Sequence, residues 1–267
     1  MRTLAPLLLV LAACTTGGGA DTQLDLTDYR LVELTHPFDE RTVYWPTSPS
    51  GFEYERLAHG ATEAGWFYSA GAFSSPEHGG THLDAPIHFA EGGHATHEIP
   101  LERLIAPAVV IDVSEQAQGD TSYQLTREDV LAFEREHGAI EPGTIVLLRT
   151  GWSERWPDRR AYLGDDTPGD ASRLRFPSYG EDAARLLVEE RNVAALGADV
   201  ASIDHGRSTD FRVHRIAAAR NVPGFENLTR LDQLPARGAI VIALPMLISG
   251  GSGGPLRAVG LVPRRDR

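Results

Sequence analysis

The chain has 267 residues, 42% of them hydrophobic and 23% charged, with a formal net charge of −12; this composition suits an ordinary globular protein of one large domain or two small ones, and an acidic surface that repels phosphate backbones excludes nucleic acid as a partner. All 25 basic residues are arginine, which excludes a Walker-type phosphate lysine, a Schiff-base lysine and a lysine general base. Cys14 is the one cysteine, so intrachain disulfides, four-cysteine zinc sites and a catalytic thiol in the folded body are excluded, leaving His, Asp, Glu, Ser, Tyr and Arg for chemistry.

Arg2 precedes an apolar run from Leu4 to Ala13. The run is too short to span a bilayer and suits a signal-peptide core, so residues 1–13 are predicted to be a signal peptide. It ends Leu11-Ala12-Ala13-Cys14, which resembles a bacterial lipobox. That resemblance implies cleavage before Cys14 and lipid attachment to it. The protein is then exported and held by the lipid alone at a cell-envelope membrane, on its periplasmic or extracellular face. An ordinary signal peptide with an incidental cysteine is the alternative. Residues 14–28 are small, polar and Gly-rich, which predicts a flexible tether. Residues 29–267 read as one continuous domain without internal repeat. No second apolar run reaches about 18 residues, so no transmembrane helix is predicted.

Along that domain, Tyr29 to Leu34 reads as a short strand, and Pro46, Pro49 and Gly51 break the chain into loops. Ala108 to Val113 is an apolar β-branched run, hence a buried strand. Thr126 caps a helix through Glu136, with Asp129 in a box-like position and Gly138 at its end. Thr144 to Leu148 is a second buried strand. Ser178 with Glu181 opens another helix, which carries Ala184, Leu187 and Val188 on one side. Val193 to Leu196 is a strand, His214 to Ala219 a short helix, and Ala239 to Leu244 and Ala258 to Val262 are closing strands. There is more strand than a strict βαβ alternation gives, which predicts an α+β or mixed α/β fold in a single domain.

The segment His78-Gly79-Gly80-Thr81-His82-Leu83-Asp84-Ala85-Pro86-Ile87-His88 carries the chemistry. His78, His82, Asp84 and His88 all fall on even positions, so an extended chain puts them on one face. A helix would rotate Asp84 away from His78 and His82, and Gly79, Gly80 and Pro86 oppose one. Imidazole and carboxylate ligands suit Zn²⁺ or Mn²⁺. Three protein ligands with one position open to water is the form of a catalytic metal site. Taken singly, each histidine reads more simply as a loop polar; four such groups on one face, among Gly and Pro, favour a metal.

The pattern H-x-G-T-H-x-D-x-P-x-H over residues 78–88 matches the signature of the cyclase family position for position, and the chain resembles that family, which contains bacterial kynurenine formamidase. Trp45-Pro46, the stretch from Gly197-Ala198-Asp199 to Asp204, and His214-Arg215 followed by Glu226-Asn227-Leu228 resemble other family segments. The similarity spans about residues 29–262. It implies a swivelling β/β/α-type fold and a homo-oligomer, dimer or tetramer. It also implies a divalent-metal site of two ions per subunit, Zn²⁺ foremost and Mn²⁺ next. By resemblance, His78, His82 and Asp84 hold one ion, and Asp84 bridges to a second held with His214 and Glu226. His88 is the catalytic acid/base, with Thr81 and Asp204 supporting the ligands. The resemblance also separates two branches at one position: an amide replaces the downstream carboxylate in the isatin-hydrolase branch. Glu226 is a carboxylate, which points to the two-metal, formamidase-like arrangement.

A bound metal lowers the pKa of its water to about 7 and so supplies hydroxide at neutral pH, while a second can polarise the carbonyl. A histidine can take a proton from the nucleophile and return it to the leaving group. The expected activity is therefore arylformamidase-like: hydrolysis of a small amide or formamide by metal-bound hydroxide, with His88 as proton shuttle. A lactone, ester or cyclic-amide (isatin-type) hydrolase, or a lyase, on the same site is the nearest alternative. A non-catalytic metal- or solute-binding lipoprotein is the alternative from another class, and a proton shuttle beside the ligands argues against it.

Other signals carry less. Gly250-Gly251-Ser252-Gly253-Gly254 is a literal G-x-S-x-G, but Pro255 and a strand-like run follow where a nucleophile elbow needs a helix, so it reads as a flexible loop. His94 and His97 read as loop polars, and His36, His59 and His137 as structural or exposed. His205 stands between a role beside Asp204 and a structural one. Trp66, Phe67, Tyr68 and Phe73 read chiefly as core packing, with an aromatic wall over a planar substrate as the alternative.

Overall fold

Short β-branched runs punctuated by Gly and Pro turns give this chain a sheet before anything else. The computed structural model describes residues 25–264; the expected signal peptide, Cys14 and the tether up to residue 24 lie outside them. The strands are β1 (Tyr29–Glu33), β2 (Glu53–Ala61), β3 (Phe67–Ser74), β4 (His82–Asp84), β5 (Ile105–Asp112), β6 (Gln124–Leu125), β7 (Ile145–Arg149), β8 (Ser178–Tyr179), β9 (Ala195–Ala198), β10 (Gly224–Glu226), β11 (Arg237–Pro245) and β12 (Gly253–Pro263). The helices are α1 (Ser114–Gly119), α2 (Arg127–His137), α3 (Arg159–Leu163), α4 (Glu181–Arg185) and α5 (Arg212–Ala218). The large sheet runs β1-β12-β11-β5-β7-β9-β10-β4, and β4 also pairs with β12, so the sheet closes on itself as a barrel. β5, β7, β9 and β10 are parallel neighbours. This is the mixed α/β single-domain architecture expected from the sequence.

Alternation along the central strands builds two cores. Val109 and Ile111 of β5 and Val146 and Leu148 of β7 pack with Val130 and Phe133 of α2 and Ala184 of α4. Ala108, Val110, Ile145 and Leu147, one residue out of phase, join Leu83, Phe225, Val241 and Ala258 on the other face. Burial on both faces is what parallel strands require. Each Val, Leu, Ile or Phe among them contributes about 1.5–3 kcal/mol. α2 starts as expected: Thr126 Oγ1 accepts from Asp129 N at 3.1 Å, and Asp129 Oδ2 accepts from Thr126 N at 2.8 Å. Gly138, at φ 89°, ends it.

Three expectations need correction. Ser178 does not open α4; it lies in β8, and its hydroxyl donates to the carbonyls of Ser202 and Ile203 at 2.7 and 2.8 Å. Pairing with β6 holds it extended, Gly180 precedes the helix, and a π-turn over Leu186–Glu190 continues it. Trp66, Phe67, Tyr68 and Phe73 are neither core nor substrate wall. They sit on or beside the β2–β3 hairpin, which pairs only with itself, and are 56, 64, 48 and 54% exposed. The last residues of the expected tether belong to the folded body: Leu26–Asp28 form a 3-10 turn, and Asp28 O accepts from Arg264 N at 2.7 Å.

Candidate metal centre

β4 has three residues, yet it pairs on both sides, with β10 and with β12. Alternation sends Leu83 into the core and puts His82 and Asp84 on the opposite face. β10 runs antiparallel with Glu226 opposite His82, so the two side chains are cross-strand neighbours, while Phe225 lies opposite Leu83 in the core. The even-numbered face expected over residues 78–88 exists only for His82 and Asp84. His78 precedes the strand and is brought back by Gly79 and Gly80, at φ 151° and 60°. A Cβ at Gly79 would overlap the Tyr44 ring. Pro86 opens a 3-10 turn over Pro86–His88 that returns His88, whose ring stacks on His78 with centroids 3.9 Å apart. The side chains converge as expected, by a loop and a turn rather than along one strand.

His214 arrives from α5. Asp204 fixes this helix from outside it: Oδ1 accepts from Val213 N at 3.0 Å, and Oδ2 from His214 N at 3.0 Å. Asp204 Oδ2 also meets His214 Nδ1 at 2.6 Å, which leaves Nε2 facing Asp84. Thr81 supports the motif loop rather than a ligand directly. Its hydroxyl donates to Asn227 O at 2.6 Å and accepts from His36 N at 2.9 Å.

Two overlapping groups result, His78–His82–Asp84 and Asp84–His214–Glu226, each with its donor atoms within 4.8 Å of one another. Asp84 Oδ1 lies 2.7 Å from His78 Nδ1 and 3.1 Å from His82 Nε2. Asp84 Oδ2 lies 2.9 Å from His214 Nε2. Glu226 Oε1 is 3.2 Å from His214 Nε2, and Oε2 is 3.5 Å from His82 Nε2. Tetrahedral ligands at zinc distances sit roughly 3.3 Å from each other, so the donors have the spacing a divalent ion requires. Charge agrees with geometry. Among the described residues no arginine pairs with Asp84 or Glu226, which are 5 and 4% exposed. Two buried carboxylates faced by imidazoles and, at Glu226, by the backbone N–H of Ile203 at 2.8 Å, but by no cationic side chain other than histidine, suit a cation.

The titration directions report the same field. Burial pushes the carboxyl of Asp84 up, but His78, His214 and His82 outweigh it and hold it well below the usual range. Burial pushes His214 down, but Asp204, Asp84 and Glu226 outweigh it and raise it. His88 is different. The protein crowding its ring pulls it down to about 4, the nearby carboxylate of Asp84 opposes this, and the other imidazoles reinforce it. His88 is therefore neutral at pH 7.

The donors open into a cavity of about 270 Å³. Trp45, Phe89, Phe211, Leu163 and Val43 form its apolar wall, and His88 lines it too. Asn227, at φ 55°, joins the floor: its Nδ2 donates to Gly80 O at 2.7 Å and its Oδ1 accepts from Tyr162 at 2.9 Å. Phe89, Leu163 and Phe211 were not legible as pocket residues, since nothing local distinguishes them from core. His94, His97, His205, His36, His59 and His137 lie outside the cluster and the cavity lining.

The cyclase family model matches residues 32–205. The chain belongs to the cyclase family. Within the family, isatin hydrolase from Roseibium aggregatum is 38% identical over 196 residues, 70% of this chain and 73% of that protein. A kynurenine formamidase from Salinibacter ruber is 26% identical over 244 residues, 86% and 96% of the two chains. The crystal structure of an isatin hydrolase bound to the product analogue thioisatinate has a TM-score of 0.81 at 31% identity, covering 89% of this chain and 94% of that one. With these hydrolase relatives and the donor cluster described above, this cyclase-family chain is a metal-dependent hydrolase.

Proposed function

We propose that the chain hydrolyses a small amide carried on an aromatic ring, with an N-aryl formamide as substrate. The observation that carries this is Asp84. One buried carboxylate turns an oxygen to each of two donor groups, with a neutral histidine stacked at the edge. His78, His82 and Asp84 would hold one divalent ion, and Asp84, His214 and Glu226 a second, Zn²⁺ or Mn²⁺. Divalent ions there supply an acidified water and a Lewis acid for the carbonyl. The apolar wall of Trp45, Phe89 and Phe211 seats the planar ring and keeps bulk water away. His88 takes a proton from the attacking water and returns it to the leaving nitrogen, without which the amine is a poor leaving group.

Ring opening of a cyclic aryl amide such as isatin is a second reading. The 38% identity to an isatin hydrolase favours it, whereas the carboxylate at Glu226 favours the formamide. Metal-loaded protein assayed on N-formyl aromatic amines and on isatin, with and without chelator, tests both. Turnover of the formamide that chelator abolishes is expected. Turnover of isatin alone replaces the first reading with the second, and turnover of neither removes both.

The exposed aromatic hairpin β2–β3 supports a homo-oligomer, since a two-stranded hairpin apolar on its surface is marginal uncovered. Sedimentation of wild type against Trp66→Ser/Phe67→Ser checks this; a monomer in both removes it. Lipid attachment at Cys14 rests on the motif alone. Fatty-acid labelling that survives Cys14→Ser would disprove it.

A further inference from the structure

The Gly-rich loop ahead of β12 touches a metal-site residue. Ser252 Oγ lies 2.9 Å from His78 Nε2, and it donates to Glu77 Oε2 at 2.5 Å. Ser252 N donates to the same Glu77 oxygen at 3.0 Å. We infer that Glu77 and Ser252 are positioning residues that fix which nitrogen of His78 faces the donor cluster; the inference rests on the proposed metal site.

The available protons set the direction of each bond. A serine hydroxyl has one, and a carboxylate can only accept. With that proton given to Glu77, Ser252 Oγ can only accept from His78. Nε2 of His78 must then carry a proton, which leaves Nδ1 as the atom that would ligate an ion. Nδ1 is the atom 2.7 Å from Asp84 Oδ1, inside the cluster. The other two imidazoles are fixed by their neighbours: His82 Nδ1 meets Gly80 O at 3.0 Å, and His214 Nδ1 meets Asp204 at 2.6 Å. Their side chains are 3 and 6% exposed, against 27% for His78. The most exposed imidazole therefore has a two-residue relay where the others have one acceptor each.

The loop is built to hold this contact. Ser252 O accepts from Ala85 N at 2.8 Å, and Gly251 O accepts from both Thr96 N and Thr96 Oγ1 at 2.9 Å. Gly250 N donates to His97 Nδ1 at 3.1 Å. A Cβ at Gly253 would lie 2.6 Å from His78 Cε1 and 2.7 Å from Leu83 O, so only glycine lets the ring sit there. The serine of the G-x-S-x-G match thus has a role, but as an acceptor behind a ligand and not as a nucleophile.

Two measurements on the full folded chain test this. The first is histidine ¹⁵N NMR on zinc-loaded protein. In wild type His78 should show a hydrogen-bonded Nε2–H and a zinc-shifted Nδ1. In Glu77→Gln, whose amide can donate to Ser252 and free the hydroxyl proton to point at His78, the Nε2–H resonance should lose its hydrogen-bonded shift. The second is zinc binding by chelator competition. Ser252→Ala and Glu77→Gln should each weaken one of two ions by about 10–100-fold. Ser252→Thr should restore it, and the ion held by His214 and Glu226 should keep its affinity. An unchanged His78 Nε2–H resonance in Glu77→Gln, or wild-type zinc affinity in both variants, overturns the relay. Wild-type protein that binds no divalent ion at all fails the metal site itself, whereas zinc bound equally by wild type and variants fails the relay alone.

Discussion

The two donor groups that share Asp84 are built in different ways. His78, His82 and Asp84 come from one short run of chain and include a side chain that is 27% exposed. Asp84, His214 and Glu226 come from β4, α5 and β10, and their side chains are 6, 6 and 5% exposed. The group that is local in sequence has an open member that a surface loop must hold. The group that is distant in sequence is closed, because strand register and a helix cap bring its members to the same point. Proximity along the chain therefore does not make the better-shielded half of the site.

The largest effect should come from the residue common to both halves. Asp84→Asn is expected to abolish binding of both ions, read by elemental analysis, and to reduce hydrolysis to the uncatalysed rate. One ion retained per subunit would show that the halves are independent. Next, His88→Ala should keep both ions but lower kcat by about 10²–10⁴-fold. Unchanged turnover would remove His88 from the reaction. Smaller again, Asp204→Asn should strike only the closed half, weakening its ion by about 10–100-fold and lowering Tm by a few degrees as α5 loses about 1 kcal/mol of capping. Equal weakening of the His78 side would erase the distinction drawn above.

The smallest effect concerns pH and the loop behind the open half. His36 stacks on Trp156 and donates its backbone N–H to Thr81. Burial, helped by Arg230, pulls it down to about 4. Its folded pKa lies below its unfolded value, so its share of stability is intact above about pH 6.5 and is lost as pH falls toward 4. The loss should amount to about 1–3 kcal/mol in urea unfolding. His36→Phe keeps the stack and should flatten that part of the acid slope; an unchanged slope would place the titration elsewhere.

Much of the frame was legible because β5, β7, β11 and β12 are strongly apolar runs and α2 carries its own cap. The donor residues in 78–84 were legible because they lie together, whereas His214 and Glu226 came only through family resemblance. No periodicity could have joined them, since the register of β10 on β4 places Glu226 and the Asp204 cap on α5 places His214. The β2–β3 hairpin was missed because its aromatics point outward, against the rule that places such residues inside. Ser178 misled because a serine before an acidic residue signals a cap, while its hydroxyl had a tertiary partner. Glu77 and Ser252 were hidden for the same reason: their meaning lies in each other, 175 positions apart.

β4 is stitched along both edges, and its face away from Leu83 carries His82 and Asp84. Trp45, Phe89, Leu163 and Phe211, which shape the space above, belong to none of the ligand-bearing elements. Selectivity can thus drift at the rim while the donor cluster stays constant. Two catalysts that open different amides can inherit one unaltered floor, and a designer wishing to retarget this scaffold should leave the clasp strand alone and recut the walls.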